Sequence, residues 1–175
     1  MTRMIVLVSV VALGWLPSAG CGGRSTAQSS STGQRPAVEP NRAYLLSEEP
    51  GAALGVAEVR RDGKDGQEVV VAGWIAGGAE PFVEGRAAFT LVDFDLPPME
   101  CAEKPYAFCC MPKEALLPNV ILVKFVDAEG ETISTDAREL LGVREGGAVV
   151  VQGRLQAGED GAINTILATK LFNRG

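Results

Sequence analysis

From Glu68 onward the chain alternates apolar runs with clusters of turn-forming residues. The runs are rich in Val, Ile and Leu, and several of them alternate apolar with polar positions, as a half-buried β-strand does. Turn clusters such as Asp62–Gly66 and Gly158–Gly161 separate the runs. The predicted strands are Glu68–Ile75, Ala87–Asp93, Val120–Val126, Ala148–Leu155 and Ile163–Leu171.

A short helix is predicted between the third and the fourth of these strands. Asp136 is a candidate N-cap with Glu139 three residues later, and Gly142 supplies a stop signal. Three strands, one helix and two strands is the element order of an OB-fold. The fold class predicted is therefore all-β with one short helix, an OB-fold-like five-stranded Greek-key barrel. Gly73 and Gly153 lie within predicted strands, where glycine often marks a bulge or a bend.

Ahead of the strands the polarity pattern changes twice. Residues 1–20 combine the single charge of Arg3 with a short apolar run, which is the pattern of an export signal. That run is shorter than the ~20 residues of a transmembrane helix. Residues 21–42 are mainly Ser, Thr, Gln, Gly and Pro and predict a disordered, flexible tether. The barrel domain is expected over 43–175, with an insertion at 94–119.

The start of the barrel domain is less regular. Gly51–Arg61 carries apolar residues at Leu54, Val56 and Val59 without a clean period. We interpret this segment as a short helix, and an added strand is the alternative.

The predicted signal ends in a segment, Leu16–Gly23, that resembles a bacterial lipobox, in which small residues precede a cysteine that is acylated. Ser18 stands where that motif prefers Leu. We expect lipidation of Cys21; ordinary cleavage near Ala19, which would leave Cys21 as a thiol, is the alternative. The expected location is the membrane of the cell envelope, periplasmic or cell-surface, with the N-terminal lipid as the membrane contact.

The charge balance argues against nucleic acid as a partner. The chain has 16 Lys and Arg against 22 Asp and Glu, a net charge of −6. An acidic protein offers no electrostatic footprint for phosphate backbones. His is absent, and so are a phosphate loop and a Gly-x-Ser-x-Gly motif, so an enzyme is not expected. The carboxylate pairs Asp93/Asp95 and Glu48/Glu49 are interpreted as solvated surface.

The three remaining cysteines all lie in the insertion, at Cys101, Cys109 and Cys110. Exported proteins meet oxidising conditions, so these residues are candidates for a disulfide. Cys101 is expected to pair with Cys109 or Cys110, because a bridge between adjacent cysteines is strained. One thiol would then remain unpaired.

A soft metal site is the main alternative for this insertion. Thiolates and thioethers select Cu(I), and thiolates also bind Zn(II), although the spacing matches no standard zinc motif. The candidate ligands are Met99, Cys101, Cys109, Cys110 and Met111. A thiol-exchange role with Lys104 and Lys113 as the nearby cations is a further alternative, and otherwise no cofactor is expected.

Four aromatic residues are candidates for a binding platform. Tyr106 and Phe108 lie in the insertion and are expected on its surface. Trp74 could join them, although Trp74 and Phe89 are more often expected to fill the barrel interior or its end.

Several segments of the chain resemble a group of uncharacterised bacterial OB-fold-type lipoproteins with a Pro-aromatic-x-aromatic-Cys-Cys insertion. The matching segments are Gly73–Gly78, Pro81–Thr90, Lys104–Cys110 and 123–143. The resemblance implies the same fold and compartment and brings no activity with it. We therefore expect an exported, lipid-anchored envelope protein with a non-catalytic binding or structural role toward an envelope protein or a glycan. The alternative is a thiolate metal-binding or redox protein.

Overall fold

The computed structural model describes residues 40–78, 80–96, 108 and 111–175. The strands are β1 Leu54–Gly55, β2 Glu68–Ile75, β3 Ala88–Val92, β4 Val120–Phe125, β5 Ala148–Ala157 and β6 Ile163–Asn173. The α-helices are α1 Val56–Asp62, α2 Lys113–Leu116 and α3 Ala137–Leu141, and 3-10 helices cover Arg42–Tyr44 and Leu117–Asn119. No helix in this described part of the chain is long and apolar enough to cross a bilayer.

The strands form one mixed sheet whose larger part closes into a ring. Their order is β1-β2-β3-β4-β6-β5, and an additional pairing of β2 with β5 closes the ring of β2, β3, β4, β6 and β5. The pairs β1–β2 and β4–β6 are parallel, and the other pairs are antiparallel. All five predicted strands are present, and the mostly-β class is confirmed.

Closure of the ring places two glycines against neighbouring backbone. A Cβ at Gly153 would lie 2.3 Å from the Leu167 carbonyl oxygen, and the β5–β6 register shifts between Gln152 and Gly153. A Cβ at Gly73 would lie 2.4 Å from the carbonyl oxygen of Val92 on β3. Only glycine permits such close approach, and the register shift at Gly153 confirms the irregularity that the sequence predicts there.

The core fills the ring because alternate residues of each strand point inward. On β4 the side chains of Ile121, Val123 and Phe125 are buried, whereas the residues between them are partly exposed. Phe89 of β3 is fully buried and stacks at a tilt against Phe125, with ring centroids 6.4 Å apart. The expectation that Phe89 packs in the interior is confirmed.

The segment before β2 contains both of the elements considered for it. Leu54 and Gly55 form β1, and α1 follows immediately at Val56. Helix α1 turns Val56 and Val59 into the core. The predicted short helix is therefore present, and the irregular apolar spacing reflects a two-residue strand joined to it.

Helix α3 closes one part of the core. It begins at the N-cap Asp136, whose carboxylate accepts a hydrogen bond of 2.9 Å from the Arg138 amide, and it ends at Gly142 in the left-handed conformation. Ala137, Leu140 and Leu141 are buried in the main core. The predicted helix is thus present with its cap and its stop, and α2 is the described α-helix that the sequence did not predict.

The residues that lead into the domain are held against α3 and β6. The Asn41 amide donates to the Leu140 carbonyl at 2.8 Å, and the Leu46 amide donates to the Leu171 carbonyl at 2.8 Å. Tyr44 makes an edge contact with Phe125, with centroids 6.1 Å apart. Contacts with the barrel therefore begin by Asn41.

Replacing Asp136 by Ala should destabilise the protein in a pH-dependent way. Hydrogen bonds from Arg138 lower the pKa of Asp136, whose side chain is only 16 % exposed. The carboxylate thus stabilises the fold above the ~3.9 pKa of an unfolded aspartate, and this contribution is lost as the pH falls through the lower folded-state pKa. We expect Asp136→Ala to lose about 1–2 kcal/mol at neutral pH, and less below pH ~4, by urea denaturation.

The matched variant for this test is Asp136→Asn. Asparagine keeps an oxygen that can cap α3 but does not ionise, so its loss at neutral pH should be smaller. A deficit of Asp136→Ala that stays constant from neutral pH to pH ~3 would contradict an ionic contribution.

Candidate functional site

The outer face of β3 and β4 is divided into a covered half and an open half. Register pairs Ala88 with Lys124 and Val92 with Val120 across the two strands. Val92 and Val120 lie under a second apolar cluster formed with residues of the insertion. Ala88 and Lys124 lie outside that cluster, so this end of the sheet face borders a cleft.

The cleft has a volume of about 440 Å³, within the usual ~300–1,000 Å³ of small-ligand sites. Apolar surface comes from Val83, Ala88 and Leu122, and Val83 is 44 % exposed. Arg86 and Lys124 also line it. We call the cleft that these five residues line, together with Glu131 and Thr132, the β3–β4 cleft.

Arg86 is oriented by the loop that follows β4. Its Nη1 atom donates to the Ser134 hydroxyl at 2.9 Å and lies 3.4 Å from the Thr132 carbonyl oxygen. The backbone around Arg86 is fixed as well, since its carbonyl accepts from the Ala137 amide at 3.1 Å. One terminal nitrogen is therefore engaged, and the rest of the guanidinium fork is available to a planar acceptor.

Lys124 lines the same cleft and is partly buried. Across the described residues its ammonium makes no hydrogen bond or ion pair. Glu131 also lines the cleft, with its backbone amide held at 2.9 Å by the Asp127 carboxylate. The cleft thus combines an apolar surface with two cations and one carboxylate.

The second apolar cluster holds part of the predicted binding platform. Phe108 is 2 % exposed and packs with Ala76 and Val92. The expectation of a surface position for Phe108 is therefore wrong. Ala76 and Val92 offer Phe108 an apolar surface, and burying a phenyl ring against it removes a large apolar area from water.

Trp74 lies at the edge of the same cluster and is partly buried. Its ring meets Phe94 edge-on, with centroids 4.9 Å apart and planes at 81°. The Arg174 guanidinium lies over the other ring, 5.0 Å from the Phe94 centroid. Trp74 is thus one member of a packed Arg–Phe–Trp group, and Phe94 and Arg174 were not expected there.

Most residues of the predicted cysteine site fall outside the described part of the chain. They are Met99, Cys101, Tyr106, Cys109 and Cys110, and Cys21 also lies outside it. Met111 is described, and its side chain packs partly buried against the second apolar cluster. No group of three potential metal-ligating residues occurs among the described residues. The disulfide, the metal site and lipidation therefore stay predictions.

The pair Asp93/Asp95 was interpreted as solvated surface, and the structure differs from this at Asp93. Asp93 is 5 % exposed, and its Oδ2 atom accepts a hydrogen bond of 2.8 Å from the Ala57 amide at the start of α1. Asp93 is therefore not solvated surface, whereas Asp95, Glu48 and Glu49 are exposed.

The sequence contains a signal for part of the β3–β4 cleft. Alternation within Val120–Phe125 puts Leu122 and Lys124 on one face and Val123 on the other. Arg86 carries no such signal, because it precedes β3 in a loop whose path depends on contacts with Thr132 and Ser134. Comparisons with models of protein families, with curated proteins and with solved structures found no match to this chain.

Proposed function

We propose that this chain is an exported, lipid-anchored envelope protein with an OB-fold-like domain that binds a partner without catalysis. The order of pairing around the ring supports the OB-fold part. Counted within the ring, the first strand pairs with the second and the fourth, and the third pairs with the fifth in parallel. Helix α3 lies between the third and fourth ring strands, as in a Greek-key OB barrel.

The observation that carries the binding role is the β3–β4 cleft. OB-folds bind ligands on the face of their second and third strands, which correspond to β3 and β4 in this chain. The correspondence is an analogy of fold, and function belongs to the site itself. The site supplies its own support, since the exposed Val83 and two cations line one cleft, at the end of the β3–β4 face that lies outside the second apolar cluster.

An envelope protein is the partner that fits this cleft best. Interfaces have an apolar centre with a few placed polar groups and are enriched in Arg. A glycan presents hydroxyl groups that need polar partners, and the apolar surface of Val83, Ala88 and Leu122 offers none. Nucleic acid is disfavoured by the net charge of −6.

Site-specific photo-crosslinking in cells tests this function. A photoreactive side chain at Val83, on the exposed rim, should form one discrete protein adduct in the envelope fraction. Gln156 is an exposed position on β5 outside the cleft and is the matched control. Support requires that an excess of the protein without a photoreactive side chain reduces the Val83 adduct. It also requires that the probe at Gln156 forms no adduct. Equal labelling at the two positions would remove the cleft as the binding site.

A further inference from the structure

We infer that the β3–β4 cleft binds the C-terminal carboxylate of a peptide chain that ends in an apolar residue. This inference rests on the proposed function and names the chemistry that the partner presents. It follows from the two cations and the apolar residues that line this cleft together.

The two cations are suited to one carboxylate. Arg86 is held by Ser134 and Thr132 through a single nitrogen, so its remaining N–H groups keep the planar geometry that carboxylates accept. Lys124 is partly exposed, and its ammonium makes no hydrogen bond or ion pair within the described residues, so it can pair with an incoming carboxylate.

The apolar lining of the cleft selects an apolar side chain. Lys124 pairs directly with Ala88 across the strands, and Leu122 lies two residues before Lys124 on the same face. Ala88, Leu122 and Val83 all line the cleft and give it its apolar surface. A terminal leucine-sized side chain would bury its surface there while its carboxylate reaches the cations.

Glu131 restricts the ligand to a single negative charge. It lines the same cleft as Arg86 and Lys124, and its side chain is exposed. A polyanion, such as an acidic glycan, would place further charges near this carboxylate and against a chain of net charge −6. A peptide terminus carries one charge and otherwise neutral amides.

The test is an NMR titration of the isotope-labelled intact protein in detergent micelles. N-acetyl-alanyl-leucine should shift the amide signals of Ala88 and Leu122 with a dissociation constant of roughly 0.1–1 mM. N-acetyl-alanyl-leucinamide, which lacks the carboxylate, should bind about tenfold more weakly. Equal affinity of the two peptides would overturn the inference, and so would equal or tighter binding of N-acetylmuramic acid, an acidic sugar.

Variants distinguish a direct contact of the ligand with Lys124 from an effect of the net charge of the protein. Lys124→Gln should weaken binding of the acid peptide about tenfold and leave binding of the amide peptide unchanged. Lys124→Arg should retain binding of the acid peptide. Lys64→Gln removes the same charge from an exposed turn and should have no effect. If the Val83 crosslink forms but the acid peptide has no advantage, the carboxylate assignment is wrong and the binding function stands. If neither is seen, both are wrong.

Discussion

Asp93→Ala is expected to lower the free energy of unfolding by about 2–4 kcal/mol, a large share of the ~5–15 kcal/mol of a typical domain. Helix α1 begins after Gly55, which has no side chain to cap it. Asp93 supplies the cap from β3, since its Oδ2 atom accepts the Ala57 amide at 2.8 Å and its Oδ1 atom accepts the Asp95 amide at 3.0 Å. Removal of the carboxylate leaves both amides without an acceptor and removes an anion from the positive end of the helix.

Two further substitutions show whether the loss of stability is due to the Asp93 carboxylate. Asp93→Asn keeps one oxygen acceptor, so it should lose about half as much stability. Asp95→Ala removes an exposed carboxylate that is two residues away and should change stability by less than ~0.5 kcal/mol. Chemical denaturation followed by Trp74 fluorescence measures all three. A loss below ~1 kcal/mol for Asp93→Ala would show that water replaces the carboxylate as the acceptor.

Strand positions in this chain follow from local sequence. The β-branched run Glu68–Ile75 is a strand with the predicted bounds, and the run from Val120 buries every second residue. These features depend on the β-strand preference of each residue and on the alternation of apolar and polar positions. Both can be recognised in the sequence without knowing which residues are in contact in the fold. Closure of the ring depends on which strands pair at long range. In the sequence, only the order of strands and helix indicated a closed barrel.

Two residues show why the burial of single side chains could not be predicted. Asp93 belongs to a residue type that is almost never fully buried, and its burial is compensated by hydrogen bonds from the amides of Ala57 and Asp95. Phe108 lies in an insertion rich in Pro and charged residues, which favoured a surface position. Its burial depends on packing against Ala76 and Val92, which are distant in sequence. Both outcomes are decided by tertiary contacts.

The β3–β4 cleft could be predicted from the sequence only in part. Alternation along β4 assigns Leu122 and Lys124 to the same face, and β3 lies beside it through the pairing of Ala88 with Lys124. Which part of that face stays open is decided by the insertion, whose Phe108 covers the end at Val92 and Val120. The sequence could therefore predict a candidate face, and the structure limits it to a cleft.

Cys21→Ala is expected to abolish incorporation of fatty acid and to reduce the membrane-bound fraction at least tenfold. Acyl chains contribute ~0.8 kcal/mol for each buried CH₂ group, so their loss removes nearly all of the affinity for the bilayer. The protein has no electrostatic substitute, because removal of residues 1–20 takes away only Arg3 and leaves 15 basic against 22 acidic residues. An anionic membrane surface would repel such a chain.

Metabolic labelling with an alkyne fatty acid, in a bacterial host that acylates lipoproteins, measures this directly. Wild type should carry the label and remain with membranes after a high-salt wash, because a lipid contact is insensitive to ionic strength whereas an ionic contact is screened. Cys101→Ala, which removes a thiol from the insertion, should be labelled like wild type and so distinguishes acylation of Cys21 from labelling of any cysteine. Wild-type protein without label would favour cleavage near Ala19, and Cys21 would then be a fourth thiol available to the unpaired cysteine of the insertion.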